Sequence, residues 1–419
     1  MAAPFRILSL DGGGPWSLIQ ARTLGKIFTP DMPGRDLLSH FDLVVSNSGG
    51  AVVIAGLLAN MSPRSIETDC FASQARLHEI FQKTEPAQDP VASAARGLGL
   101  DFYEYRTAAK LAALRDVLGA AADIMIPELP SLFAAHQKAP KFIFTAFGYD
   151  RLREVHFRSD PTSPAANDST DAPLTLAEAV DASSTAPLLY FDAPAVTGAG
   201  TGMVRFWDGG VGGYNNPVLL GVAEALSYGI ARNSIQVITI GSATVMQPIA
   251  SEFPHADPAL TRPTPVYTIV RDIAKIARAI VDDPPDAASL HAYLLLGRPP
   301  PPRVGGMVQP QGTLDFVRFN PMVRPHLDAG QWQAPRSFQG NDWTTLRDLG
   351  LVCIRPDQIA LLQKLTDCWM ASDPADIPNQ PVRMSWPSFT CELGFNLFNE
   401  ALVVARGMLG LDGDGTPIA

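Results

Sequence analysis

The sequence predicts an α/β protein built on a largely parallel sheet that helices cover on both faces. Of its 419 residues, 46% are hydrophobic and 18% are charged, which is enough apolar material for a large core. As far as about Ser242, short apolar runs typical of strands alternate with segments of helical periodicity. Glycine-rich turns follow three of these runs, and the first two turns lead directly into helix-like sequence.

Six apolar runs predict the strands of this sheet: 5–10, 41–45, 141–147, 154–158, 203–207 and 235–240. Helices are predicted from Pro15 onward and over 50–60, 65–83, 107–121, 175–182 and 217–228. Pro15 suits the first helical position because its missing N–H would be unpaired there anyway. The 50–60 helix is apolar nearly all round, so we expect it to be buried. Later in the chain, a strand is predicted over 314–319 and helices over 356–370 and 394–408.

Charge and cysteine content exclude several classes of protein. The net charge is -10 without a run of basic residues, which argues against a nucleic-acid surface. No segment resembles a signal peptide or is long enough to cross a bilayer, so we expect contact with lipid only from the water side. The cysteines are far apart and lack metal-ligand spacing, which predicts reduced thiols in a cytoplasmic protein. They are Cys70, Cys353, Cys368 and Cys391.

The second glycine-marked turn, Ser46-Asn47-Ser48-Gly49-Gly50, offers a candidate nucleophile. A nucleophile elbow joins a strand to a helix through a strained turn, and it needs small residues two before and two after the serine. Ser48 meets this requirement with Ser46 and Gly50. Ser46 is a poor rival because bulky Val44 stands two residues before it. The alternative is that both serines merely cap a helix.

The first turn, Asp11-Gly12-Gly13-Gly14, lies between a strand and a helix that begins with proline. Successive amides there can point at an anion, helped by the positive end of the helix dipole. In acyl transfer the anion is the tetrahedral oxyanion, and one such donor can lower the barrier by about 3 kcal/mol. The Gly49 amide could supply another donor. A phosphate site is the competing use, but no Lys-Ser/Thr pair follows, so a P-loop is excluded.

The third turn follows Asp208 at the end of a predicted strand. The alternative here is a structural aspartate in a turn or helix cap. An ordinary aspartate has a pKa of about 3.9, too low for an effective base, but apolar neighbours such as Trp207 and Phe206 would raise it. None of the seven histidines follows a strand beside a glycine turn, which favours a Ser-Asp dyad over a triad. His326 remains an outside candidate.

These three sites together resemble the patatin-like phospholipase family. Residues 11–14, 46–50 and 208–210 are similar to its Asp-Gly-Gly-Gly loop, Gly-x-Ser-x-Gly elbow and distal Asp-Gly-Gly, in the same order. Segments 182–187 (Ala-Ser-Ser-Thr-Ala-Pro), 215–217, 238–242 and 318–321 (Arg-Phe-Asn-Pro) resemble further family motifs. The resemblance covers roughly residues 5 to 370.

The resemblance implies a three-layer α/β/α fold and a lipid acyl hydrolase without a metal or organic cofactor. Ser48 would be the nucleophile, Asp208 the base, and the Gly12, Gly13 and Gly14 loop the oxyanion hole. The implied substrates are phospholipids, lysophospholipids, galactolipids and acylglycerols, reached through transient contact with a membrane surface. The chain departs from the family pattern in two places. Trp16 and Ser17 replace a basic residue and glycine, which favours a more apolar substrate, and Ser46 replaces the glycine before the elbow.

Two alternatives stay open on the same residues: an acyltransferase, or a lipid-binding relative with weakened catalysis. We predict a catalytic domain over 1–370, with a core over 5–245 and later additions over 246–370. The predicted C-terminal helical extension, 371–419, lies outside the resemblance and has no assigned role. The sequence leaves open the lipid class, any activator and the oligomeric state.

Overall fold

The structure is a computed structural model that describes residues 3–83, 105–166, 174–187, 190–197, 204–253, 255–262, 286–304, 307–385 and 388–417. Eight of the described strands form one mixed sheet: β1 (Phe5–Leu10), β2 (Leu43–Ser46), β3 (Lys141–Gly148), β4 (Arg153–Arg158), β5 (Ala195–Thr197), β6 (Val204–Asp208), β7 (Ile235–Ile240) and β11 (Phe316–Phe319). Their order is β11-β7-β1-β2-β3-β6-β5, with β4 beside β3. Strands β1, β2, β3, β7 and β11 are parallel, whereas β4 and β6 run antiparallel to β3.

The remaining described strands form short pairs outside this sheet. They are β8 (Thr244–Val245), β9 (Arg303–Val304), β10 (Met307–Val308), β12 (Met322–Val323), β13 (His326–Asp328), β14 (Gln331–Gln333), β15 (Arg383–Ser385) and β16 (Thr390–Leu393). The described α-helices are α1 (Leu18–Ile27), α2 (Gly34–Leu38), α3 (Ser48–Leu58), α4 (Pro63–Ser65), α5 (Gln74–Ile80), α6 (Thr107–Leu118), α7 (Leu176–Ser184), α8 (Val218–Ser227), α9 (Asp286–Leu295), α10 (Asn341–Asp348), α11 (Pro356–Met370) and α12 (Phe398–Leu409).

Alternate side chains of the central strands enter two separate cores, which defines three layers. In β1, Leu8 and Leu10 pack with α1 and α3, whereas Ile7 packs with α8 and α9 on the opposite face. In β2, Val44 joins the first core, and Val45 joins the second. This alternation follows from the two-residue period of a strand. The predicted α/β/α fold is therefore confirmed.

The parallel strands end level with one another, which brings their loops together. Leu10 at the end of β1 pairs with Ser46 of β2 and with Ile240 of β7. The loops after β1 and β2 are therefore neighbours at the carboxyl edge of the sheet, where ligands bind in open α/β sheets. Antiparallel β6 reaches the same region, because Asp208 at its end pairs with Ala146 of β3.

Helix α3 lies in the core, as the apolar 50–60 pattern predicts, although it begins two residues earlier. Ten of its eleven residues are buried. Gly50 permits close approach to β1, because a Cβ there would lie only 2.6 Å from the Asp11 carbonyl oxygen. A larger residue at this position would push the helix away from the sheet.

The prediction of one continuous helix over 65–83 is wrong. The chain forms the short helix α4, then a π-helical segment over Ile66–Phe71, and then α5. Ser73 starts α5 afresh, since its side chain accepts a hydrogen bond from the Arg76 amide. The final helix begins at Phe398 rather than at 394, because residues 390–393 form β16.

Residues beyond 370 pack into the same core as the preceding chain. The Phe398 ring lies 4.7 Å from the Trp369 ring and 5.5 Å from the Phe319 ring, measured between centroids. Asn379 donates a hydrogen bond to the Arg318 carbonyl at 2.9 Å, which ties the segment to β11. The domain boundary at residue 370 stays a prediction. Within the described part of the chain, the helices are too short or too polar to cross a bilayer.

Candidate active site

Ser48 occupies a strained turn between β2 and α3. Its backbone φ is 51°, a conformation that residues other than glycine adopt only at an energetic cost. The Ser48 amide donates a hydrogen bond to Ser183 Oγ at 3.0 Å, which helps to hold this conformation. The side chain is buried, and the residue is only 7% exposed. These features fit a nucleophile elbow, whereas a helix cap would not require a strained backbone at this residue.

Asp208 lies beside Ser48 in a buried hydrogen-bonded cluster. Its Oδ1 accepts hydrogen bonds from Asn47 Nδ2 at 3.0 Å and from the Gly210 amide at 2.8 Å. The Ser48 hydroxyl lies near this carboxylate and favours its ionised form, which lowers its pKa. Asn47 is itself oriented by Thr145, whose Oγ1 donates to Asn47 Oδ1 at 2.7 Å. The structure thus brings together the two residues that the sequence singles out as a dyad.

Burial raises the pKa of Asp208 above the usual value of an aspartate. The nearby Ser48 hydroxyl, the hydrogen bonds from Gly210 and Asn47, and the positive charge of Lys110 oppose this increase. The net direction is upward, which makes the carboxylate a stronger base than an exposed aspartate. None of the seven histidines, all within the described residues, hydrogen-bonds Ser48 or Asp208, and His326 pairs instead with Gln333 in a hairpin.

The glycine loop runs along the start of α3. The Gly12 amide donates to the Asn215 carbonyl at 2.8 Å, so it is already occupied. Among the described residues, the Gly13 and Gly14 amides donate no hydrogen bond and could serve an oxyanion. Gly13 has a φ of 158°, and a Cβ there would lie 2.0 Å from Ser242 Oγ, so a side chain does not fit. A Cβ on Gly49 would lie 2.8 Å from the Gly14 nitrogen, so the Gly14 amide lies beside the elbow.

A buried ion pair anchors the start of this loop. Arg318 Nη1 and Nη2 donate to the two carboxylate oxygens of Asp11 at 2.9 and 2.5 Å. Burial raises the pKa of Asp11 to about 6, although the charge and hydrogen bonds of Arg318 oppose the increase. Gln20 also holds the loop, since its Nε2 donates to the Asp11 carbonyl at 2.8 Å. Sequence reasoning missed the role of Arg318, because 307 residues separate it from Asp11.

Replacing Arg318 with methionine is expected to lower the free energy of unfolding by about 3–5 kcal/mol, because it leaves the Asp11 carboxyl buried without its counter-ion. Urea unfolding followed by tryptophan fluorescence measures this change. Arg355→Met is the control, since the Arg355–Asp357 pair is exposed and its loss should leave the unfolding midpoint unchanged. Equal effects from the two variants would contradict an anchoring role for Arg318.

Ser48 and Gly14 are among the residues that line an apolar cleft, which holds about 630 Å³ of empty space including the part open to solvent. Among the described residues that line it, Lys110 is the one with a charged side chain, and the walls are mainly aliphatic and aromatic. The wall includes Val52, Phe71, Leu77, Phe81, Leu114 and Phe191. Such a cleft fits a hydrocarbon chain whose polar end lies at Ser48.

Trp16 helps to shape this cleft. It is one of the residues at which the sequence departs from the motif pattern described above. The Trp16 side chain is buried, and its Nε1 donates to the Gly350 carbonyl at 3.0 Å. The next two residues, Leu351 and Val352, line the cleft. Leu351 packs over Gly14, as a Cβ on Gly14 would lie 3.6 Å from Leu351 Cδ1. Trp16 therefore fixes one wall of the cleft.

The fold and the site define the class: an α/β/α protein with a serine elbow that opens on an apolar cleft. The family profile for Patatin-like phospholipase matches residues 8–221, about half of the chain. The chain belongs to this family of lipid hydrolases. The match includes Ser48, Asp208 and the glycine loop, whereas Arg318 and the wall at Leu351 lie beyond it.

Several solved structures are similar to this one at low sequence identity. VipD from Legionella pneumophila shows 11% identity and a TM-score of 0.34, over 87% of this chain and 67% of VipD. ExoU from Pseudomonas aeruginosa, in complex with SpcU, shows 14% identity and a TM-score of 0.26, over 70% of this chain and 52% of the other. Human GIVD cytosolic phospholipase A2 shows 16% identity and a TM-score of 0.22, over 38% of this chain and 22% of that enzyme.

This chain thus spans about half of the ExoU chain and less than a quarter of the human enzyme. These values are too low to transfer an activity. No curated protein matches the sequence.

Proposed function

We propose that the protein is a lipid acyl hydrolase in which Ser48 is the nucleophile and Asp208 is the base. The observation that carries the proposal is the placement of Ser48, on a strained elbow, beside the buried Asp208 carboxylate, which accepts a hydrogen bond from the adjacent residue Asn47. Ser48 also lines an apolar cleft, so the carbonyl of an acyl chain bound in the cleft could reach its hydroxyl. Proximity and a raised carboxylate pKa both favour transfer of the serine proton.

In the acylation step, Ser48 Oγ forms a bond with the ester carbonyl carbon while Asp208 accepts the hydroxyl proton. The carbonyl oxygen becomes an oxyanion, which the amides of Gly13 and Gly14 would stabilise, with Gly49 as a further donor. The carbon–oxygen bond to the leaving alcohol then breaks, and the alcohol oxygen takes the proton from Asp208. Water then attacks the acyl carbon and gives a proton to Asp208. The bond between the acyl carbon and Ser48 Oγ breaks, Ser48 Oγ takes the proton from Asp208, and the fatty acid is released.

The proposed partners and location follow from the same features. The substrate is a lipid ester, which the protein would reach by transient contact with a membrane surface from the water side. All four cysteines are free thiols, with Cys70 and Cys353 buried and the other two half-buried. Free thiols fit the proposed cytoplasmic location. The site geometry needs no metal for this chemistry.

A fluorophosphonate probe tests the proposal on wild-type protein. Attack by Ser48 Oγ on phosphorus expels fluoride and leaves one stable adduct, which intact mass measures. Fatty acid release is then measured from phosphatidylcholine, lysophosphatidylcholine, a galactolipid and a monoacylglycerol. We expect one adduct and release from at least one lipid. Transfer of the acyl group to an added alcohol in place of water would support an acyltransferase. Lipid binding without adduct or turnover would contradict a constitutive hydrolase.

The Trp16 wall predicts a selective effect on long acyl chains. In Trp16→Phe, the Gly350 carbonyl loses its hydrogen bond, which typically costs about 1 kcal/mol, so the wall at Leu351 loosens. We expect the KM for a long-chain ester to rise about three- to tenfold while kcat for a short-chain ester stays near wild type. Steady-state kinetics on esters of 4 and about 16 carbons measures this difference.

Trp343→Phe is the matched control for this variant. Trp343 is also buried, and its Nε1 donates to the Ala259 carbonyl at 2.9 Å, but it does not line the cleft. The control should not change chain-length preference. A similar KM increase for both ester lengths in Trp16→Phe would contradict the specific role of the wall.

A further inference from the structure

One short segment holds the backbone of both dyad residues. It consists of Ser183, Ser184 and Thr185, at the end of α7. Ser183 Oγ accepts a hydrogen bond from the Ser48 amide at 3.0 Å. The Thr185 carbonyl accepts one from the Asp208 amide at 2.8 Å. The distance between Ser48 and Asp208 therefore depends on the conformation of this segment.

Lys110, on α6, donates all three of its ammonium protons to the 183–185 segment and to Asp181 just before it. Its Nζ donates to the Asp181 carbonyl at 3.0 Å, to Ser184 Oγ at 3.1 Å and to Thr185 Oγ1 at 2.6 Å. An ammonium group has three protons to donate, so this set satisfies it. Thr185 Oγ1 in turn donates to the Asp181 carbonyl at 2.6 Å, which closes the turn.

The charge of Lys110 is buried, which is unusual for a lysine. The residue is 2% exposed, its Nζ lies 3.2 Å from Asp181 Oδ1, and it stands 4.6 Å from the centroid of the Phe191 ring. A neutral side chain of similar length would fill this position without the free-energy cost of removing a charge from water. The cation lies on the wall of the cleft that contains Ser48.

We infer that Lys110 is a positioning residue for the dyad: it fixes the 183–185 segment, which holds the backbone of Ser48 and Asp208. This inference rests on the proposed function. Lys110 itself is not a catalytic residue, because its three donors are occupied by Asp181, Ser184 and Thr185.

The groups around Asp208 determine the sign of the expected pH effect. Asn47 Nδ2 from the elbow and the Gly210 amide from the following turn donate hydrogen bonds to Asp208. The nearby Ser48 hydroxyl and the positive charge of Lys110 on α6 also favour its ionised form. Burial lowers the pKa of Lys110, whereas Asp181 and Asp208 oppose this decrease. Lys110 lowers the pKa of Asp208, so removal of its charge should raise that pKa. Because activity requires ionised Asp208, the loss of activity on the acid side would then occur at a higher pH in the variant than in wild type.

The test compares Lys110→Met with wild type in full pH profiles of ester hydrolysis. We expect kcat to fall about tenfold or more, since small displacements of reacting groups are costly. We also expect the acid limb of kcat/KM to move upward by at least about 0.5 pH unit. Lys110→Arg keeps the charge and should restore the acid limb even where kcat remains low. Thr185→Val removes one acceptor of Lys110 but keeps the charge, so kcat should fall without a shift of the limb.

Lys364→Met is the matched control. Lys364 also combines an ion pair, 2.7 Å from Asp342 Oδ2, with a ring, 4.8 Å from the centroid of Phe338, but it is partly exposed and does not line the cleft. This variant should keep the wild-type profile. A folded Lys110→Met protein with wild-type kcat and acid limb would overturn the inference. If Lys110→Met does not fold, wild-type kcat in Thr185→Val would overturn it. An inactive wild-type protein would instead contradict the proposed function.

Discussion

Replacing Ser48 with alanine is expected to reduce kcat for ester hydrolysis by about 10⁴-fold or more, because the nucleophile is lost and only binding and oxyanion contacts remain. The fluorophosphonate adduct should disappear as well, since Ser48 is the hydroxyl residue of the described chain that combines the elbow conformation with a place next to Asn47, which binds the buried Asp208. The small side chain of alanine should leave the fold intact. Intact mass and hydrolysis assays on the same preparations measure both effects.

Ser46→Ala is the matched control for this prediction. Ser46 is two residues away and also buried, and its hydroxyl has no hydrogen-bond partner among the described residues. The control should keep the adduct and the activity. An adduct that persists in Ser48→Ala but is lost in Ser46→Ala would reassign the nucleophile.

The second large effect is expected for Asp208→Asn, with a reduction of kcat by about 10²–10⁴-fold. Asparagine has nearly the same shape but cannot accept the serine proton. It would also present an amide group to Asn47 and the Gly210 amide, both of which donate to Oδ1 in the wild type. The fluorophosphonate reaction should slow by a similar factor, because it needs the same proton transfer. Rates of adduct formation, measured by mass over time, test this expectation.

Asp150→Asn provides the control, because Asp150 is exposed and pairs with Arg205 on the surface. It should leave the rate unchanged. Adduct formation at the wild-type rate in Asp208→Asn would exclude Asp208 as the base. Wild-type activity should also fall as the pH drops through the pKa of Asp208, which burial raises above the usual aspartate range.

Much of the fold followed from patterns that are local in the chain. The predicted strands 5–10 and 235–240 and the helix 356–370 agree with the structure at both ends. Apolar periodicity and turn residues determine such elements within a few neighbours. Strand β5 escaped prediction because three residues carry too little pattern. The segment 66–71 was misassigned because a π-helix has the apolar content of an ordinary helix.

The candidate site divides in the same way. Ser48, Asp208 and the glycines stand at strand ends that short motifs mark, so the sequence by itself determined where they lie and which chemistry they suit. Only the tertiary structure decided that the Gly12 amide is occupied, that Arg318 holds Asp11, and that Lys110 supports the dyad through residues 183–185. These contacts join residues tens to hundreds of positions apart, and a buried charge shows its partner only once the chain is folded around it.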